Sequence, residues 1–224
     1  MIILFGSDKE IGKEFKTKLE LLKIPCFCWP TSDKTTFYEL EDWYEDSNYP
    51  LIGGVINANE YIPDKNVKDQ SSLTELTINN NILFPQILTN WCMLNDIPLG
   101  HISNTCIYTG TKDDQSLFTE NDDPNFTFKE NADLYSSTKA LSEKIVLKWN
   151  KSYIWRSGVL FDDLTDIKDN LKDKISFSNK HEFVNACIKI LNSDKINYGI
   201  YNIVNIGNVD NKKILDVGIE MKKL

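Results

Sequence analysis

The chain has 224 residues, 41% of them hydrophobic, with 33 acidic against 25 basic side chains and a net charge of −8. That length fits one domain with room for a small appendage. No basic stripe points to nucleic acid as a partner, and no run approaches the ~20 apolar residues that a membrane span needs, so a soluble, cytoplasmic protein is expected.

The elements follow in chain order. An apolar run, Ile2 to Phe5, ends at Gly6 and leads into an amphipathic helix with Ile11, Phe15, Leu19 and Leu22 at helical spacing. Ile24 to Trp29 reads as a second strand, Phe37 to Tyr44 as a helix and Leu51 to Asn57 as a third strand. Leu73 to Asn95 predicts one long helix and Leu99 to Tyr108 a fourth strand. The polar stretch from Thr111 to Asp133 reads as a loop longer than the ~15 residues usual for structureless connections. A helix from Tyr135 to about Trp149 follows, then a strand from Tyr153 to Leu160, a helix over Ala186 to Leu191 and a last strand from Tyr198 to Val204. This alternation predicts an α/β fold, a doubly wound, Rossmann-like parallel sheet with helices on both faces. Residues 1–160 form the expected dinucleotide-binding domain, and residues 161–224 a reduced C-terminal substrate lobe packed on it.

Five cysteines (Cys26, Cys28, Cys92, Cys106 and Cys187) form no Cys-x-x-Cys pair and read as reduced thiols. His101 and His181 lie far apart, and the doublets Asp122-Asp123 and Asp162-Asp163 read as solvated loop charges, so no metal site is expected.

Tyr135-Ser-Ser-Thr-Lys139 is the stretch richest in chemistry. A phenol and an ammonium four residues apart share one helix face. A neighbouring ammonium favours the phenolate and lowers a tyrosine pKa from about 10, which suits proton transfer near neutrality. Tyr61 and Lys65, and Tyr108 and Lys112, have the same spacing, but Pro63 and Gly110 interrupt them, so only the third pair sits in a helix.

In doubly wound sheets a pyrophosphate sits at the first helix N-terminus. Here that turn is Gly6-Ser7-Asp8-Lys9-Glu10-Ile11-Gly12. Gly6 suits the tight turn and Gly12 suits close helix packing, but Lys9 stands near the place of the middle glycine. The second strand lacks the terminal acid that would hold a ribose 2′-hydroxyl; Ser32 and Lys34 instead suit a 2′-phosphate, so NADP is favoured slightly over NAD.

In this order the segments resemble the extended short-chain dehydrogenase/reductases. Within them they resemble the dTDP-4-dehydrorhamnose reductases and the UDP-4-keto-6-deoxy-glucose 3,5-epimerase/4-reductases. The matching stretches are Val55-Ile-Asn-Ala58, Thr77-Ile-Asn-Asn-Asn81, Ile102 to Gly110, the acidic proline loop Phe118 to Phe126, Tyr135 to Lys139, Trp155-Arg156 and Gly199 to Asn205. The resemblance implies an NAD(P)-dependent reductase of a 4-keto-6-deoxy nucleotide sugar, with Tyr135 as proton donor and Lys139 lowering its pKa and holding the nicotinamide ribose. It places Gly6, Lys9, Ile11, Gly12, Asn57, Ala58 and Lys139 at the cofactor and Thr105, Asn125 and Arg156 at the substrate. It also implies a homodimer through the helices at Leu73 to Asn95 and Tyr135 to Trp149. Four departures stand out. Asn104 replaces the hydroxyl that usually orients the carbonyl; its amide can donate a hydrogen bond but cannot relay a proton as a hydroxyl can. The glycine loop is degraded, and Phe84 stands where a glycine is usual. No acid–base pair for epimerisation can be assigned between Asn59 and Asp69. These departures leave open a catalytically impaired relative, a regulatory subunit that binds a nucleotide or a protein.

Overall fold

Six short strands form one all-parallel sheet in the computed structural model, the four inner ones buried and the two edge ones half-buried. The structure describes residues 1–29, 36–46, 51–63, 70–110, 112–113, 116, 118–126, 133–162 and 176–205. Ser32, Lys34, Lys65, Asp163 and the end of the expected C-terminal lobe lie outside the described residues.

The strands are β1 (Ile2–Phe5), β2 (Cys26–Trp29), β3 (Gly54–Asn57), β4 (Leu99–Asn104), β5 (Ser152–Ser157) and, at the edge, β8 (Gly199–Ile203). Their order is β2-β1-β3-β4-β5-β8. The direction of winding reverses between β1 and β3, and the carboxyl ends of the strands flanking such a reversal leave a crevice where ligands bind. A separate parallel pair is made by β6 (Val159–Phe161) and β7 (Phe177–Asn179).

Helix α1 (Glu10–Leu21) and helix α6 (Lys180–Leu191) cover one face, packing Ile11, Phe15, Leu19, Phe183 and Ile190 against Ile2, Leu4, Ile56 and Trp155. Helices α2 (Phe37–Asp46), α4 (Phe84–Leu94) and α5 (Leu134–Val146) cover the other, packing Leu40, Leu88, Trp91 and Val146 against Ile3, Val55, Leu99 and Ile154. Helices on both faces of a parallel sheet are the doubly wound arrangement expected from the sequence. Among the described residues no helix is long and apolar enough to cross a membrane.

Four elements differ from expectation. The long helix is divided into α3 (Gln70–Ile78), a π-helical turn over Asn79–Leu83, and α4. Pro85 has no N–H to return to Asn81 and its ring crowds that carbonyl, so the ladder widens, and the Phe84 N–H reaches back five residues to Asn79. The fourth strand stops at Asn104, whose Oδ1 accepts the Cys106 N–H at 2.8 Å and caps a 3-10 turn over Thr105–Ile107. The strand expected over Tyr153 to Leu160 is interrupted at Gly158, where a Cβ would lie 2.3 Å from the Ser176 carbonyl oxygen. The last helix begins at Lys180, six residues before its apolar signal, because Asn179 caps it by accepting the Glu182 N–H. Helix α6 and strand β8, both assigned to the C-terminal lobe from sequence, belong to the main layers of the fold.

Gly100 of β4 lies under the Trp155 indole, and a Cβ there would stand 2.0 Å from Cη2. Two central strands fix both partners, so the clash cannot relax cheaply. Gly100→Ala is expected to cost about 1–3 kcal/mol, the usual range for overpacking, read as a lower urea midpoint with an unchanged slope.

Candidate active site

Helix α5 places Tyr135, Thr138, Lys139, Ser142, Glu143 and Val146 on one stripe, at the i, i+3, i+4, i+7 positions that share a face. Asp133 starts the helix by accepting the Ser136 N–H at 2.9 Å. The stripe faces the sheet, yet all of it except Val146 is polar. The sheet answers in kind. On the α5 side, Val55, Leu99 and Ile154 are followed, toward the carboxyl ends of the strands, by Asn57, His101, Ser103 and Arg156.

Burying these groups is tolerable only if each finds a partner. The Asn59 N–H donates to Asn57 Oδ1 at 3.1 Å, which turns the Asn57 amide nitrogen toward His101 Nδ1, 3.0 Å away. His101 Nδ1 therefore accepts, and its proton resides on Nε2, which donates to Ser142 Oγ at 3.1 Å. The Ser142 hydroxyl donates in turn to the Lys139 carbonyl at 2.9 Å. Burial, with the charge of Lys139, holds the His101 pKa well below its ordinary 6.5. His101 is thus a neutral structural link.

Next along the stripe, Glu143 accepts from Ser103 Oγ at 2.5 Å and from the Arg156 Nε and Nη2 at 3.0 and 2.7 Å. Arg156 is the only arginine among the 25 basic residues of the chain. Both side chains of the pair are 1% exposed. The remaining arm of the guanidinium donates to the Tyr108 hydroxyl at 2.6 Å. Tyr108 donates in turn to the Asp122 carbonyl and stacks on Phe118 at 4.4 Å. Asp122 is held by Lys112 and by Thr119, which keep its carboxyl down at about 2. The sequence suggested a substrate contact for Arg156; the structure commits its guanidinium to joining α5 and β5 to the 118–126 loop. Asn125 likewise spends both ends of its amide on the backbone of Thr109.

At the open end of the stripe, Lys139 is 2% exposed and donates to the Ile102 carbonyl at 2.6 Å. Glu60, on the loop that leaves β3, accepts from the Tyr135 hydroxyl at 2.9 Å, and the same carboxylate oxygen lies 3.6 Å from Lys139 Nζ. The expected depression of the tyrosine pKa is reversed. Desolvation, and then the charge of Glu60, push Tyr135 well above its ordinary 10. Glu60 is the residue that the sequence did not single out. Its one signal was a carboxylate directly after Asn57-Ala58-Asn59. Cys106, from the 3-10 turn, joins the same cluster, with a hydrogen bond to Ser136 and the charges of Lys139, Asp133 and Glu60 nearby; burial pushes its thiol up to about 11.

The first turn borders this cluster. Gly6 has φ +78°, and a Cβ on it would stand 2.6 Å from the backbone of Ala58 and Asn59. A Cβ on Gly12 would stand 1.8 Å from the Gly6 carbonyl oxygen. Both glycines therefore do what a phosphate-binding turn requires. Lys9 occupies the N-cap of α1 without a side-chain cap, so the N–H groups of the first helical turn face outward from the crevice side of the sheet. Ile11 is core. The negative charge of Glu10 is countered by Lys180 Nζ at 2.6 Å, which also holds Asp162 at 2.7 Å. The geometry fits a dinucleotide diphosphate at α1. Asn104 and Thr105 lie at the end of β4. Asn104 Oδ1 is used by the 3-10 turn, and its amide hydrogens are the groups that remain to be donated.

No family model matches the sequence, and no curated protein matches it significantly. Solved structures match by fold. The UDP-rhamnose synthase of Acanthamoeba polyphaga mimivirus superposes with a TM-score of 0.73 at 19% identity, over 92% of this chain and 75% of that one. The dTDP-4-dehydrorhamnose reductase of Clostridium acetobutylicum gives 0.71 at 19%, over 92% and 74%. The dTDP-4-dehydrorhamnose reductase of Bacillus anthracis, in complex with NADP, gives 0.66 at 17%, over 92% and 75%. The fold implied by the sequence resemblance is the fold found.

Two outcomes follow from the buried network. Arg156→Met strands Glu143 and is expected to cost about 3–5 kcal/mol, whereas Arg156→Lys keeps a charge but loses the two-armed fork and falls between; urea denaturation ranks the three proteins. For His101, the folded pKa is lowered, so its contribution is complete above pH 6.5 and is lost as pH falls from there toward the folded value. Wild-type stability should decline below pH 6.5 by up to about 1.4 kcal/mol per pH unit. In His101→Gln this component is absent from the pH profile.

Proposed function

We propose that the chain is a nicotinamide-dependent reductase of a keto nucleotide sugar, of the 4-keto-6-deoxy type. The observation that carries this reading is that the loop leaving β3 meets Tyr135 and Lys139 through Glu60 and meets Gly6 of the first turn through Ala58 and Asn59, beside the point where the sheet reverses. On the same fold, the neighbours named above include rhamnose-pathway enzymes, one in complex with NADP.

Gly6, Lys9, Ile11, Gly12, Asn57 and Ala58 would line the dinucleotide, with the α1 N-terminus toward its diphosphate and Lys139 toward its ribose. The nicotinamide supplies hydride chemistry when bound. Tyr135 holds the proton for the sugar oxygen, and the Asn104 amide orients the carbonyl by donation. Thr105 borders the sugar, while Asn125 and Arg156 shape the substrate side by fixing Thr109 and Tyr108. Exposed Met93 and Leu94 on α4, and Leu147 just beyond α5, support a homodimer through those helices. The held proton of Tyr135 favours a second reading, a catalytically silent relative that binds a nucleotide or a protein as a regulatory subunit.

NADPH or NADH at millimolar concentration should raise the melting temperature, because a ligand of the native state stabilises it; no shift with either one rejects the first reading. Tyr135→Phe should bind the same dinucleotide and lose turnover of a 4-keto-6-deoxy nucleotide sugar. Wild-type turnover at background level, with binding retained, selects the second reading.

A further inference from the structure

The loop that carries Glu60 is fixed on both sides by the π-helical turn. Asn80 Oδ1 accepts from the Asn59 amide at 3.0 Å. Asn81 brackets Tyr61, with Oδ1 accepting from its N–H and Nδ2 donating to its carbonyl, both at 2.9 Å. Asn81 also donates to Thr138 on α5 at 3.2 Å. Residues 59 and 61 are thus clamped, and residue 60 between them aims a carboxylate at the tyrosine–lysine pair. A phenol has one hydrogen. While Tyr135 gives it to Glu60 it cannot give it to a substrate. Lys139, already donating to Ile102, is approached on a further side by the same carboxylate.

We infer that Glu60 is an internal ligand of the Tyr135–Lys139 subsite, a carboxylate that a dinucleotide must displace before its ribose can reach either group. The inference rests on the dinucleotide reading given above. It makes Glu60 a determinant of affinity that acts against binding. Glu60 would then set how much of the protein is loaded at a given dinucleotide concentration, because its removal returns two donors to the ligand and deletes a negative charge beside it. A carboxylate that merely received a ribose hydroxyl would have the opposite effect.

The test is titration of wild type, Glu60→Ala and Glu60→Gln with NADPH and with NADH, followed by nucleotide fluorescence, with melting curves of the free proteins to confirm folding. The expected result is at least fivefold tighter binding by Glu60→Ala and a smaller gain for Glu60→Gln, whose amide still accepts from Tyr135. Equal or weaker binding by Glu60→Ala, with wild type binding well, overturns the inference and leaves the dinucleotide reading standing. Absence of binding by all three proteins overturns both. A cofactor-free readout accompanies it. The ultraviolet difference titration between each protein and its Tyr135→Phe counterpart isolates the Tyr135 phenol, which should ionise at lower pH in Glu60→Ala than in wild type. An unchanged midpoint also counts against the inference.

Discussion

The organising constraint is a helix face that is polar and buried. Five of the six residues on the inner stripe of α5 carry hydrogen-bonding or charged groups, and the sheet, the loop after β3 and the π-helical turn must between them satisfy all of them. Hydrophobic burial is non-directional and would tolerate a sliding or rotated helix. Here a rotation of α5 by one residue would break the Ser142–His101 bond and the Glu143 pairs with Ser103 and Arg156 together. The geometry of Tyr135 and Lys139 at the open end is inherited from that lock. The site is precise because the helix that bears it has one seating.

The same logic explains the single arginine. Elsewhere the chain uses lysine for positive charge, a compact ion that acts as a point charge on the surface and also where it is buried, as at Lys139. At position 156 one side chain must grip a carboxylate with two parallel bonds and reach Tyr108 with a third. Only a planar fork with several donors can do this. A buried ion pair of this kind is weak evidence for stability. Its evident product is alignment of β5, α5 and the 118–126 loop.

Much of the fold was legible in the sequence because period and polarity carried it. The apolar runs of β1 and β3 and the stripe of α1 gave the alternation of strand and helix, and with it the doubly wound sheet. The boundaries that failed were set by capping side chains or by single backbone atoms. Asn104 and Asn179 moved an end by bonding one N–H, and Gly158 broke a strand because a carbonyl passes over it. At the site, the tyrosine and lysine were visible through spacing and neighbours. Glu60 was not, because its role arises from a contact between positions 75 residues apart and leaves no periodic trace. The direction of the tyrosine pKa was misjudged for the same reason: the adjacent lysine was in view and the distant carboxylate was not.

The paired charges of Glu143 and Arg156 also bear on how the chain folds. The two come from adjacent elements, α5 and β5, but their pocket is complete only when β4 pairs beside β5 and brings the Ser103 hydroxyl to Glu143. An intermediate in which the helix docks before β5 joins would bury a carboxylate without its counter-ion and would be penalised by several kcal/mol. Partly assembled states of this half of the sheet are thereby depleted, and the polar seam, costly in isolation, sharpens cooperativity.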